Sequence, residues 1–161
     1  MKHEKDIILL MNTDLLRKIK QCVKIAHPNE ACGLIFGKIL ENQKSNGEFE
    51  YQYKGYKYEC IESSEKSPVA FLMDDYKKLI DISASYSHNF NYQLLSIFHS
   101  HPGSAYPSGV DIPYMERYYK SGITKFKHLI WTIMDANTEE LNGFIYIFDE
   151  IKQISFQIRK E

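Results

Sequence analysis

His99 and His101 stand one residue apart at the end of the apolar run at residues 94–98. In a strand, residues i and i+2 project to the same face, so the two imidazoles emerge side by side. Two histidines placed this way can share one metal ion. Zinc takes imidazole nitrogen and carboxylate oxygen, and a catalytic zinc site keeps one position for water. A third ligand is then needed, and Asp111 is the candidate. It lies beyond residues 102–109, a loop rich in Pro, Gly and Ser that can fold back. A second reading stands beside this one. Ser108-Gly109-Val110-Asp111 has the form of a helix-capping box, and Pro113 sits where a first helical turn accepts it.

Glu30 lies far upstream, in the run from His27 to Gly37. A glutamate at a helix-to-strand junction is most often a solvated acid. Metal-assisted hydrolysis, however, needs a base. Zinc lowers the pKa of a water to roughly 7, and a carboxylate beside it can take the proton and pass it to a leaving amine.

These side chains need a frame. Residues 7–11 read as a short strand. Thr13 can cap a helix reaching about Ala26, with Leu16, Ile19 and Val23 on one face. His27-Pro28 ends it, because proline disfavours helical geometry in the residue before it. Residues 32–37 are a short apolar run consistent with a buried strand. The polar residues 41–48 look like a loop. Residues 49–61, rich in Tyr with Gly55 near the middle, suggest a hairpin or a bent strand. Residues 69–73 read as a strand, and Asp74 begins a helix carrying Tyr76, Leu79, Ile80 and Ile82. A helix over residues 110–120 follows the Pro-Gly-Ser loop. Residues 129–134, 143–148 and 154–158 read as closing strands, with turns near Asn137 and Glu150. Interleaved strands and helices favour a mixed sheet packed between helices, an α/β fold.

Composition narrows the function. The 161 residues suit a single domain over 1–161, and 43% hydrophobic with 25% charged residues indicates a folded chain. Lys and Arg total 20 against 21 Asp and Glu, a net charge of -1 that gives no electrostatic ground for nucleic acid. Cys22, Cys32 and Cys60 are scattered, with no CxxC pair, so neither a thiolate zinc site nor a disulfide framework is expected. Free thiols suit a reducing compartment. No apolar stretch reaches the roughly 18 residues needed to cross a bilayer, and the N-terminus lacks the pattern of a signal peptide. A cytoplasmic protein is the expectation. His3, His27, His88 and His128 read as surface or packing residues, and Trp131 as core.

Glu30 within Asn-Glu-Ala-Cys-Gly-Leu-Ile-Phe-Gly, then His99-Ser100-His101-Pro102, then Ser108-Gly109-Val110-Asp111, resembles the signature of the JAMM metalloproteases of the JAB/MPN superfamily, especially its prokaryotic members. The family places about seven residues between the second His and the Ser; here there are six, residues 102–107. The resemblance implies His99, His101 and Asp111 as ligands of one Zn2+ per chain. It implies Glu30 as general base and acid, and Ser108 as stabiliser of the oxyanion. It implies a sandwich fold akin to cytidine deaminases. The deaminase signature itself, His-x-Glu with Pro-Cys-x-x-Cys, is absent. Substrates implied are isopeptide or peptide bonds after the C-terminal tail of a ubiquitin-like or sulfur-carrier protein. The superfamily also contains metal-free scaffold members, which is the alternative expectation.

Overall fold

The computed structural model describes residues 6–61 and 76–160. The chain runs β1 (Ile7–Asn12), α1 (Thr13–Ala26), β2 (Cys32–Gln43), β3 (Phe49–Ile61), α2 (Tyr76–Phe90), β4 (Gln93–His101), α3 (Asp111–Lys120), a 3-10 turn (Thr124–Phe126), β5 (Ile130–Asp135), β6 (Leu141–Ile147) and β7 (Glu150–Arg159). The expected strand at 69–73 and the helix start at Asp74 lie outside the described residues.

The strands form one mixed sheet in the order β1-β3-β2-β4-β5-β6-β7, and β7 returns to pair with β1. Closure gives the outermost strands partners and so removes the exposed edges of an open sheet. Side-chain alternation then sorts the apolar residues into two clusters. Ile35, Leu95, Ile130 and Ile145 join Leu15, Ile19 and Val23 of α1. Leu34, Phe36, Ile97, Trp131 and Phe144 join Leu79 of α2 and Met115 and Tyr118 of α3. The sheet is thus packed between helices, as the interleaved pattern implied. Trp131 is core, 2% exposed, with its ring edge-on to Tyr118 at 5.5 Å.

β4 carries one irregularity that matters for the site. Its register against β2 shifts between Ile35 and Phe36. Leu94 and Ile97, three apart, therefore share one cluster, while Leu95 and Phe98 share the other. Beyond the shift, strict alternation puts Ile97, His99 and His101 on one face, the face covered by α3.

Several local expectations change. Asn12, not Thr13, caps α1: its Oδ1 accepts from the Leu15 amide at 2.7 Å. Asn12 is the last residue of β1 and keeps extended backbone, the geometry an N-cap needs. β2 runs on to Gln43, taking in part of the polar 41–48 segment, because β3 pairs with it as far as Gln43↔Phe49. Such a ribbon needs no apolar alternation when both faces are wet. Its turn uses Gly47 at φ +84, where L side chains are strained. Residues 49–61 are one strand, and its register against β2 slips where Gly37 faces Gly55. A Cβ on Gly37 would lie 1.8 Å from the Lys54 carbonyl, so only glycine admits this approach.

The cysteines correct the sequence reading most plainly. Cys22 and Cys60 form a disulfide with Cα atoms 5.9 Å apart, and only Cys32, fully buried, is free. The pairing arises because Cys22 lies on the buried face of α1, which packs against β3. At a sequence separation of 38, no local spacing announces it. The cysteine-based ground for a reducing compartment is therefore withdrawn. Among the described residues, no helix is long and apolar enough to cross a membrane.

Candidate metal centre

The C-terminal end of β4, the N-terminus of α3 and the segment before β2 meet at one place. The Nε2 atoms of His99 and His101 lie 3.0 Å apart. Asp111 Oδ2 lies 3.1 Å from His99 Nε2 and 3.0 Å from His101 Nε2. All three side chains are buried: His99 is 0%, Asp111 4% and His101 8% exposed. Among the described residues, these are the one group of His, Cys, Asp or Glu whose ligand atoms converge for a metal ion.

The donor set fits zinc. Two imidazoles and a carboxylate turn three potential ligand atoms to one point, an arrangement that a cation or protons must occupy. With Zn–N bonds of roughly 2.0–2.1 Å, a tetrahedron has ligand-to-ligand edges of about 3.3 Å, close to the separations seen. The outward ring nitrogens differ. His101 is held by a hydrogen bond to the Tyr106 backbone. His99 Nδ1 is buried with no partner among the described residues. Cys32, which faces His99 in the β2–β4 register, stands outside the group, and burial pushes its thiol up, so it stays neutral.

The surroundings of Asp111 bear on both readings that its sequence position left open. Its Oδ2 accepts from the Ser108 amide at 2.8 Å, while Ser108 Oγ accepts from the amides of Val110 and Asp111 at 3.3 and 3.2 Å. That is a reciprocal capping interaction at the start of α3. A carboxylate that only capped a helix would be left in water, whereas this one is buried against two histidines. The six-residue loop after His101 is long enough to deliver it. The loop is tied to the β5–β6 turn by the hydrogen bond that Asn137 Nδ2 gives the Pro102 carbonyl, and to β6 by Asn142 Nδ2 donating to the Ala105 carbonyl at 3.2 Å.

Glu30 lines a cleft of about 470 Å³ together with His27, Asn29, Ser100, His101 and Asn137. Burial raises its carboxyl above the ordinary range, and the nearby His101 and His99 pull partly the other way. Ser108 is half-buried. Its oxygen accepts two amides, which leaves its hydroxyl proton to donate elsewhere. All five candidate residues thus gather at one end of the sheet. Ser100, which sequence reasoning passed over, also sits here. Its hydroxyl accepts from the Ala31 amide at 2.8 Å. Its place between two candidate ligands was the available signal. His27 and His88 are exposed and His128 half-buried, none within the group.

The charges set a pH dependence. Burial alone would raise Asp111, but hydrogen bonds from His101 and His99 hold its carboxyl far below the usual carboxylate range. The hydrogen bond to Asp111 raises the His101 pKa. In the metal-free protein, the stabilisation from His101 is full below its ordinary pKa of about 6.5 and fades as pH rises through the raised value. That from Asp111 is full above about 3.9 and fades as pH falls through the depressed value. A metal needs the neutral imidazole, so metal and proton compete for His101. Zinc affinity should therefore weaken as pH falls, and binding at a pH below the raised His101 value should release a proton. Calorimetry in buffers of differing ionisation enthalpy measures that release; a buffer-independent heat would contradict it.

Among solved structures, protein DSY2949 from Desulfitobacterium hafniense is similar over 95% of this chain and 94% of its own, at 18% identity and a TM-score of 0.68, a likeness of fold. AF2198, a JAB1/MPN domain protein from Archaeoglobus fulgidus, is similar over 91% of this chain and 96% of its own, at 16% identity and a TM-score of 0.47. No curated protein matches the chain. The family Prok-JAB, prokaryotic homologs of the JAB domain, matches residues 12–142, from the cap of α1 to the start of β6 and across all five candidate residues. The chain belongs to this family of prokaryotic JAB-domain proteins.

Proposed function

We propose that this protein is a zinc-dependent peptidase or isopeptidase that cleaves after the C-terminal tail of a ubiquitin-like or sulfur-carrier protein. The observation that carries the reading is the buried convergence of His99, His101 and Asp111 beside Glu30. When bound, zinc supplies a Lewis acid that acidifies water and polarises a carbonyl. His99 and His101 would hold it through Nε2 and Asp111 through Oδ2. The Glu30 carboxylate takes the proton of the attacking water and delivers it to the departing amine. Its burial suits this double duty, because a carboxyl pKa drawn toward the working pH makes both transfers favourable. The free hydroxyl proton of Ser108 donates to the carbonyl oxygen as negative charge develops there. The cleft shared by Glu30 and His101 receives the extended tail. The balanced charge speaks for a protein rather than a nucleic-acid partner.

The test is hydrolysis. Zinc-loaded protein is incubated with a panel of ubiquitin-fold fusions, and products are read by mass spectrometry. Cleavage at the end of the tail, abolished by a chelator and restored by zinc, is the expected result. No cleavage of any member by zinc-loaded protein would count against the proposal.

Ser108→Ala separates the two duties of that side chain. Loss of the cap should cost about 1 kcal/mol of stability. Loss of the oxyanion donor should slow turnover by roughly 100-fold or more. Zinc content should stay at the wild-type level. Unchanged turnover in the folded variant would reduce Ser108 to a cap.

A further inference from the structure

We infer that Ser100 is a positioning residue that sets the Glu30 carboxylate against the metal-facing histidines; this rests on the reading of Glu30 as the base. Ser100 lies between His99 and His101, so strand alternation turns its side chain away from theirs. It is 1% exposed and meets Ala31, which is 2% exposed. Both backbone polar groups of Ala31 end on it. The Ser100 amide donates to the Ala31 carbonyl at 3.0 Å, and Ser100 Oγ accepts from the Ala31 amide at 2.8 Å. These contacts join positions 69 residues apart in the chain.

Glu30 is consequently held from both sides. The Asn29 amide donates to the Ala26 carbonyl at 2.8 Å, which ties the residue before Glu30 to the end of α1. Ala31, the residue after it, is tied to Ser100. β2 then begins at Cys32, which pairs with His99. The one unanchored residue between the two ties is Glu30. Three consecutive residues of β4 therefore supply two of the three candidate ligands and the anchor beside the base, each about 3.8 Å from the next along the backbone.

The hydroxyl and the backbone contribute separately. Without Oγ, the Ala31 amide is buried and unpaired, and the segment must shift to satisfy it. The Ser100 amide and the β2–β4 ladder remain, so the fold and the histidines stay in place. A displacement near 1 Å at a reacting group costs on the order of 100-fold in rate.

The experiment compares wild type, Ser100→Ala and Ser100→Thr in the zinc-loaded protein. The readouts are amide exchange at Ala31, zinc content, and kcat and KM on whichever ubiquitin-fold fusion the wild type cleaves. The expected result for Ser100→Ala is full zinc content, Ala31 protection lowered at least tenfold, kcat lowered about 10–100-fold and KM within about twofold. Ser100→Thr, which keeps the oxygen, restores protection and kcat together. Protection lost without a change in kcat would make the contact merely structural and overturn the inference. Unchanged protection in Ser100→Ala, or a folded Thr variant that restores neither, would also overturn it. A wild type that binds zinc yet cleaves no fusion removes the reading on which the inference rests, and the exchange data would then describe only a structural hydrogen bond.

Discussion

Glu30→Gln should keep its zinc and lose hydrolysis, with turnover lowered by roughly 10²–10⁴-fold, the range assigned to a positioned general acid-base group. The substitution keeps the shape of the side chain and removes only its capacity to carry a proton. Glu30 lies outside the convergent donor group, so metal content should be unaffected. It lines the same cleft as His101, close enough for the charges of His101, His99 and Asp111 to act on its carboxyl. The burial that raises the carboxyl pKa is removed as a cost when the amide replaces it, so the variant should be no less stable than wild type. Zinc stoichiometry, thermal midpoint and kcat on a cleaved fusion give the three readings. A folded, zinc-loaded Glu30→Gln variant with wild-type turnover would show that another group moves the proton.

Asp111→Asn should lower zinc affinity by at least about 100-fold, beyond the roughly 10–100-fold that loss of an outer hydrogen-bond partner costs. The design separates the two duties of Asp111. An asparagine oxygen can still accept from the Ser108 amide, now made by Asp111 Oδ2 at 2.8 Å, so the start of α3 is retained. What disappears is the negative charge facing His99 and His101. Ser108→Ala does the reverse, weakening the cap and leaving the ligand. If Asp111 were a cap alone, Asp111→Asn would bind zinc as wild type does and Ser108→Ala would be the more damaging change. Competition for zinc against a chromogenic chelator distinguishes the two patterns.

The site was more legible in the sequence than the frame that holds it. His99 and His101 were readable because an apolar strand leads directly into them, and strand alternation makes their shared face a matter of geometry. Asp111 was ambiguous because capping boxes and metal ligands use the same residue types; its burial beside the histidines is what supports a ligand's duty in addition to the cap. Glu30 needed the resemblance, since an acid at a helix-strand junction carries no local sign of where it points. The α1 segment was readable from apolar periodicity, β4 from its continuous apolar run, and α3 from the Ser108–Asp111 box and Pro113 after a turn-rich loop. The extent of β2 was not, because residues 41–43 are held by pairing with β3 rather than by burial. Closure of the sheet depends on β1 meeting β7, and the disulfide on α1 meeting β3, both contacts between distant parts of the chain. The capping role of Asn12 was hidden because it also ends a strand, leaving Thr13 as the more obvious candidate.

Zinc content tests the central claim most directly. Elemental mass spectrometry is applied to wild-type protein and to a folded His99→Ala/His101→Ala variant, both reconstituted with zinc and freed of excess. One zinc per wild-type chain, and none in the variant, is the predicted result. Wild-type protein that holds no zinc after reconstitution, or a variant that holds as much as wild type, would contradict the metal centre and turn attention to a scaffold role for this JAB domain.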